Sequence, residues 1–156
     1  MIPKFPEFKT LEITDREEII TYTSKFLPYS DFNFTSMWSW DIDGKIMVSD
    51  LNGNLVVNFS DYVTSEPFYS LIGSSNIEQA TQLLIDLSRE KKVRTQLKLI
   101  PEEVAVVASA ANGLVVEEDR DNFDYIFSTE SLATMSGAKL KSETIFLLKA
   151  RLESEK

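Results

Sequence analysis

The chain has 156 residues, of which 25 are acidic and 16 are basic, so its formal net charge is −9. It contains no Cys and no His, which excludes disulfides, thiolate or imidazole metal sites, and mechanisms that use a thiol nucleophile or an imidazole base. Its hydrophobic content of 43% is enough for the core of one globular domain.

The location of the protein is constrained by what the sequence lacks. No run approaches the roughly 18 to 20 apolar residues that a transmembrane helix needs. The first ten residues, MIPKFPEFKT, place prolines and charges where a signal peptide would have its apolar segment. We therefore expect a cytoplasmic protein with no transmembrane segment. The negative charge opposes binding to DNA, a polyanion, so no DNA partner is expected.

The N-terminal part predicts one strand and two helices. Phe8–Ile13 has the weak alternation of a strand, and Thr14 with Glu17 three residues later is typical of a helix capping box. A second, short helix is predicted over 32–40, with Asp31 as its N-cap.

The middle of the chain predicts a three-stranded antiparallel meander followed by a helix. The strands are Lys45–Ser49, Leu55–Phe59 and Pro67–Ile72. A tight turn over 52–54 joins the first two, because Asn and Gly accept positive φ. Ser75 with Glu78 predicts a second capping box at the start of a long amphipathic helix.

The C-terminal part alternates strands and helices. Pro101 followed by two glutamates is typical of a helix start, and Asn112-Gly113 of a helix end. The remaining predicted elements are strands at Gln96–Ile100, Leu114–Glu118 and Asn122–Phe127, a short helix at Thr129–Met135, and an amphipathic run at Ser142–Leu152.

This order of elements predicts an α/β (α+β) protein with a mixed, mostly antiparallel sheet flanked by helices. It resembles the order of the GNAT acyltransferase fold. In that fold, the loop before the third helix holds the pyrophosphate of coenzyme A at a helix N-terminus. The corresponding segment here is Gly73, Ser74 and Ser75. Only Gly73 matches the usual glycine-rich signature, so no cofactor is evident although acyl-CoA remains possible, and the favoured interpretation is that Ser75 only caps the helix.

The loop at residues 117–125 places five carboxylates around Arg120. Close carboxylates can raise one another's pKa and so produce a proton donor. The favoured alternative is a solvated acidic loop in which Asp119 or Asp121 pairs with Arg120. The spacing of the carboxylates differs from that of a calcium loop, so no metal site is predicted.

Aromatic residues supply three further candidates. Trp38 and Trp40 could line an acyl-binding or aromatic pocket, but with Phe34 and Met37 they form a stripe at helical spacing that more often belongs to a core. Tyr125 is a candidate hydroxyl near a cleft, because the last strands of a GNAT fold border its active site.

Four segments, in order along the chain, carry a family resemblance: MIPKFPEFKTLEITDREEI, PYSDFNFTSMWSW, LKLIPEEV and EEDRDNFDYIFSTESLATMSGAKLKS. They resemble a bacterial family of uncharacterised proteins related to the C-terminal domain of phosphatidylglycerol lysyltransferase. The resemblance implies two tandem GNAT-like halves, of which this chain matches the first. Lysyltransferase relatives move an aminoacyl group from a charged tRNA to a lipid head group, so tRNA is a possible partner by resemblance.

Carried over onto this sequence, the family motif implies ligand-binding roles for the pair Arg120-Asp121 and catalytic roles for the pair Asp124-Tyr125. After about residue 142 the sequence departs from the family. The chain also changes charge there, from −11 over residues 1–138 to +2 over 139–156. We therefore expect one GNAT-like domain at 1–138 and a helical tail at 139–156.

The expected function is that of an acyltransferase- or aminoacyltransferase-related domain that is catalytically incomplete as an isolated half. Its partner would then be a second half. Two alternatives remain open: a small active N-acyltransferase that uses acyl-CoA, and a non-enzymatic binding module that self-associates.

Overall fold

The structure of the protein is a computed structural model that describes residues 1–109, 114–126, 129–134, 141–143 and 145–150. Single 3-10 turns occur at 13–15, 30–32 and 120–122. None of the helices in these ranges is both long and apolar enough to span a membrane. The strands are β1 (Lys9–Thr10), β2 (Met47–Leu51), β3 (Asn54–Ser60), β4 (Pro67–Ile72), β5 (Gln96–Pro101), β6 (Leu114–Glu118), β7 (Asp124–Ile126), β8 (Lys141–Glu143) and β9 (Ile145–Ala150). The helices are α1 (Arg16–Thr23), α2 (Phe34–Trp40), α3 (Ile77–Lys91), α4 (Glu102–Ala108) and α5 (Thr129–Thr134).

The first sheet is antiparallel throughout and has the order β1-β2-β3-β4. The predicted meander is thus confirmed. The predicted tight turn between β2 and β3 is also confirmed, because Leu51 pairs with Asn54 and the two residues between them, Asn52 and Gly53, have φ of 55° and 87°. Only residues that accept the left-handed region fit this turn.

This sheet is buried on both faces by helices. Along β3, Leu55 and Val57 pack with the core on the side of α1 and α2, whereas Val56 packs with Ile77 and Leu84 of α3 on the other side. Successive strand residues point to opposite faces, so a strand covered on both faces is apolar at consecutive positions. The run LVV in β3 follows from this. The predicted α+β class, with helices flanking a mostly antiparallel sheet, is confirmed.

A second antiparallel sheet has the order β5-β9-β6, and a two-stranded sheet pairs β7 with β8. The prediction of a helical tail at 139–156 is therefore wrong for 141–143 and 145–150. β9 pairs with β5 on one edge and β6 on the other. A strand in that position supplies backbone partners to two edges that would otherwise be open, which outweighs the local helical pattern.

β4 and β5 lie side by side but belong to different backbone ladders. The hydroxyl of Ser70 donates a hydrogen bond of 2.9 Å to the carbonyl oxygen of Leu99, and both residues are buried. Leu99 has a φ of 56° and lies at a register shift in β5. A side chain on Cβ disfavours this conformation, so the irregularity is held in place by its surroundings.

The helix caps differ from the predicted ones. The capping box before α1 is formed by Glu12 and Asp15, not by Thr14 and Glu17. The N-cap of α2 is Asn33, whose side chain accepts hydrogen bonds from the backbone N–H groups of residues 35 and 36 at 2.9 Å and 3.4 Å. The predicted cap, Asp31, lies in the preceding 3-10 turn. Neighbouring Asn and Asp residues are equally good caps, so the local sequence could not select between them.

The start of α3 is organised by Asn54 of β3. The Asn54 side chain is fully buried, accepts a hydrogen bond of 2.9 Å from the N–H of Ser75, and donates bonds to the carbonyls of Ser75 (2.7 Å) and Leu51 (3.0 Å). A Cβ on Gly73 would lie 2.0 Å from Asn54 Oδ1, so only glycine fits. The predicted Ser75 cap is wrong, because the N-cap is Asn76 and makes no side-chain capping bond.

The N-terminal segment is attached to β2 by Asp50. Its carboxylate accepts hydrogen bonds from Lys4 and Tyr22, each at 2.7 Å, and from the N–H of Gly53 at 2.8 Å. Burial alone would raise the pKa of Asp50, but the bonds from Lys4, Gly53 and Tyr22 outweigh it and hold the pKa below its usual value. Asp50 thus remains an anion that joins three parts of the chain.

Replacement of Asn54 by alanine should destabilise the protein by roughly 2 to 4 kcal/mol, because it removes three hydrogen bonds of a fully buried side chain. The measurement is urea unfolding followed by circular dichroism. Ser74→Ala, an exposed change in the same loop, is the control and should shift the free energy of unfolding by less than about 0.5 kcal/mol. Equal effects of the two substitutions would contradict the role assigned to Asn54.

Candidate acidic groove

A groove of about 900 Å³ opens beside α2, the β3–β4 connection and β5. Its lining residues lie between 36 and 46, between 59 and 68, at 98–99 and between 119 and 122, together with Asp31. Two of the residues predicted to bind ligand, Trp40 and Asp121, are among them. The irregular Leu99 also lines the groove. Sparsely populated backbone conformations concentrate at functional sites, which makes this groove the candidate site.

Asp31 is the groove residue whose pKa is raised toward neutral pH. Burial, followed by the charges of Asp124 and Asp119, raises the pKa of Asp31 to about 6. A carboxyl group with such a pKa exchanges a proton near neutral pH, as a general acid or base must. Sequence reasoning did not single out Asp31, because Asp124 and Asp119, whose charges contribute to its raised pKa, are remote from it in the chain.

The acidic loop is organised by short-range contacts. Asp119 accepts a hydrogen bond of 2.9 Å from the side-chain amide of Asn122. The predicted pairing of Arg120 with Asp119 or Asp121 is wrong: Arg120 Nε lies 3.9 Å from a carboxylate oxygen of Glu118, and both side chains are exposed. Exposed pairs of this kind contribute little to stability. Arg120 does not line the groove.

Asp124 connects this loop to the segment that carries Asp31. Its carboxylate accepts one hydrogen bond from the Ser30 N–H, at 2.8 Å, and a second from the Ser30 hydroxyl. The candidate catalytic residue Asp124 is thus next to the groove but serves as an acceptor for Ser30. Because Asp31 follows Ser30 directly, these bonds fix the backbone that positions Asp31.

The charge of the groove is negative. Its two lysines are both neutralised within the groove, Lys45 by Asp43 at 2.6 Å and Lys98 by Asp61 at 2.9 Å. Four further carboxylates line the groove, and within the described part of the chain none of them forms an ion pair. These are Asp31, Asp41, Asp119 and Asp121.

Asp61 and Lys98 order the β3–β4 connection. The Asp61 carboxylate accepts a bond from Lys98 and bonds of 3.0 Å from the N–H groups of Val63 and Thr64. The hydrogen bond from Lys98, aided by these N–H groups, holds the pKa of Asp61 far below its usual value. The Lys98 ammonium also lies 5.1 Å from the ring centroid of Phe68. The tip of the connection is therefore held in a defined shape.

Four large apolar side chains around the groove face solvent, and we call them the apolar rim. They are Trp40, Ile42, Tyr62 and Val63, with exposed fractions of 79%, 86%, 90% and 75%. Exposed apolar residues are ordinary when scattered, but a group of them around one concavity is typical of a binding surface.

The stripe predicted for α2 divides between two environments. Phe34 and Met37 are buried as expected for a core, but Trp38 is 48% exposed and Trp40 lies on the apolar rim, so the favoured core interpretation is wrong for both tryptophans. Trp38 does not line the groove. Helical spacing places residues on faces, but a helix of seven residues offers only a narrow buried stripe.

The remaining candidates lie elsewhere. Tyr125 is 69% exposed and does not line the groove. Gly73, Ser74 and Ser75 lie at the entry to α3, also outside it. A smaller pocket of about 330 Å³, formed mainly by residues 23–33, shares Ser36 with the groove. In the ranges that the structure describes, no group of three or more acidic residues is arranged to hold a metal ion.

Comparison with known proteins shows a similar fold but indicates no function. No protein-family model matches the chain, and no curated protein matches it. The chain is similar to the crystal structure of a conserved protein of unknown function from Bacteroides thetaiotaomicron, with a TM-score of 0.70 and 23% sequence identity. The match covers 88% of this chain but 46% of that one. This chain therefore spans about half the length of its structural neighbour.

The raised pKa of Asp31 predicts a pH-dependent effect of Asp31→Asn. Because the folded-state pKa lies above the unfolded value, the native protein binds more protons between about pH 4 and 6, and this group reduces stability as the pH rises through that window. The substitution should raise the free energy of unfolding by roughly 1 to 3 kcal/mol at about pH 8 and much less at about pH 4.

Urea unfolding at both pH values is the measurement. Asp86→Asn, which removes an exposed carboxylate on α3, is the control and should have a similar effect at both pH values. A gain in stability from Asp31→Asn at about pH 4 that equals the gain at about pH 8 would contradict the environment assigned to Asp31.

Proposed function

We propose that this chain is a GNAT-like half of an acyltransferase or aminoacyltransferase, that its groove receives the amine that accepts the transferred group, and that the half alone does not complete the reaction. The observation that carries the proposal is the position of Asp31, a carboxyl group with a pKa of about 6 on the wall of an acidic groove. Transfer to an amine requires loss of a proton from the attacking nitrogen, and Asp31 is suited to accept it.

The arrangement of strands supports the GNAT assignment. Two helices precede the three-stranded meander, and β4 is followed by α3 and by β5 at its side. Phe68 of β4 contacts Lys98 of β5, and the later residue Ser70 of β4 contacts the later residue Leu99 of β5. Because the residue numbers rise together, β4 and β5 run in the same direction. The groove opens at this pair, since Phe68, Lys98 and Leu99 all line it.

Two observations support the absence of a donor site in this half. The N–H of Ser75, which a GNAT pyrophosphate loop would direct at the cofactor, already donates to Asn54, whose side chain fills the space above Gly73. The four groove carboxylates that form no ion pair with the described residues repel phosphates, whether of acyl-CoA or of an aminoacyl-tRNA. The donor would then be held by a second half, in keeping with a structural neighbour about twice as long.

Calorimetric titration of acetyl-CoA into the 156-residue chain tests the donor part of the proposal. We expect no saturable heat, and no acyl transfer to lysine amide in a coupled thiol-release assay. Saturable binding of acetyl-CoA would favour the small active N-acyltransferase instead.

A titration of lysine amide followed by amide chemical shifts tests the acceptor part. The shifts should concentrate on the groove and weaken in Asp31→Asn and Asp121→Asn, which remove negative charge without a large change of shape. Asp86→Asn should leave them unchanged. Shifts spread evenly over the acidic surface, or equal in all variants, would contradict an amine site in the groove.

A further inference from the structure

We infer that the groove accepts its amine as part of a polypeptide, namely a basic segment in which Lys side chains are flanked by apolar ones. This inference rests on the proposed function for the role of the amine. It adds the class of molecule that carries the amine. It depends on the apolar rim and on the excess of carboxylates over lysines in the groove.

Charge complementarity selects a cationic occupant. Lys45 and Lys98 are neutralised by Asp43 and Asp61, which leaves four carboxylates of the groove without a cationic partner among the described residues. They come from separate parts of the chain, at 31, 41, 119 and 121. A single ammonium group cannot contact such a distributed set, whereas a segment with several Lys residues can pair with it.

The apolar rim favours an occupant that carries apolar groups as well as positive charge. A free polyamine or a lone amino acid would leave Trp40, Ile42, Tyr62 and Val63 in contact with water. Exposed Trp and Tyr side chains supply large contact areas at low cost in conformational entropy and often dominate the energy of protein interfaces. Apolar residues next to the Lys residues of a peptide would cover them.

The volume of the groove and the order of one of its walls fit a peptide. A volume of about 900 Å³ is at the upper end of the range for sites that take small molecules. The β3–β4 connection that carries Tyr62 and Val63 is held by Asp61 and Lys98. The backbone that carries Tyr62 and Val63 is thus ordered before binding, which reduces the entropy lost when a partner docks.

The same charges disfavour other large occupants. A second copy of the chain would bring together two surfaces of a domain whose residues 1–138 carry a net charge of −11. Nucleic acids and anionic membranes are themselves negative. A basic polypeptide is therefore the occupant that both the charge and the apolar rim favour.

Fluorescence anisotropy with a short labelled peptide that repeats Lys, Leu and Gly is the direct test. We expect saturable binding, and no binding of a matched peptide with Glu in place of Lys. Trp40→Ser and Tyr62→Ser should each weaken binding by about fivefold or more, as expected for anchor residues of an interface, and Asp119→Asn with Asp121→Asn should weaken it and reduce its dependence on salt.

Matched controls separate a groove from a generally acidic surface. Tyr125→Ser removes an exposed aromatic side chain outside the groove, and Asp86→Asn removes a carboxylate on α3. Both should bind the Lys peptide as the parent chain does. Equal weakening by controls and groove variants, or binding that survives Trp40→Ser and Tyr62→Ser unchanged, would overturn the inference.

Two further results separate this inference from the proposed function. If lysine amide at matched concentration competes as well as the Lys peptide, the amine site stands but the polypeptide assignment fails. If the peptide binds the groove but Asp31→Asn leaves the chemical-shift changes caused by lysine amide unchanged, the polypeptide site stands and the acceptor role fails. Sedimentation that shows a dimer abolished by Tyr62→Ser would assign the rim to a second copy and overturn the inference.

Discussion

The side chain of Asn54 joins the β2–β3 hairpin to the start of α3 through both of its polar atoms. Because this amide is fully buried, its bonds cannot be replaced by water, and the position of α3 against the sheet depends on them. The same contact requires glycine at 73 and uses the N–H of Ser75. One interaction thus determines the geometry of the helix entry and also its chemistry, since the N–H group is no longer free to bind an anion.

The fold was predictable where local patterns and tertiary contacts agree. The meander, α3 and the strand at 114–118 follow from alternation, helical periodicity and turn residues, and the Asn52-Gly53 turn is set by backbone sterics alone. The prediction failed where a distant partner decides. Residues 145–150 have a helical pattern but form β9, because β5 and β6 both offer an open edge. Neither edge is visible in the tail's own sequence.

The candidate site was predictable only in part, for a related reason. Trp40 and Asp121 line the groove, as residue type suggested. The local sequence predicts only a helix cap at Asp31. The raised pKa of Asp31 could not be predicted, because it is caused by burial and by two carboxylates about ninety residues away. The opposite holds for Asp124. Its motif suggests catalysis, but its carboxylate accepts two hydrogen bonds from Ser30. Residue types indicate what chemistry is available, and three-dimensional neighbours determine which residue performs it.

The boundary between β4 and β5 also affects how the two sheets can move against each other. Elsewhere in the two main sheets, adjacent strands are joined by backbone ladders, whereas this boundary is joined by side-chain contacts, among them the bond from Ser70 to the left-handed Leu99 and the contact of Lys98 with Phe68. Such a boundary resists shear less than a ladder does, because side-chain contacts can break and re-form without loss of register in either sheet. The groove lies at this seam, so small sliding movements of one sheet against the other would change its width while leaving both sheets intact.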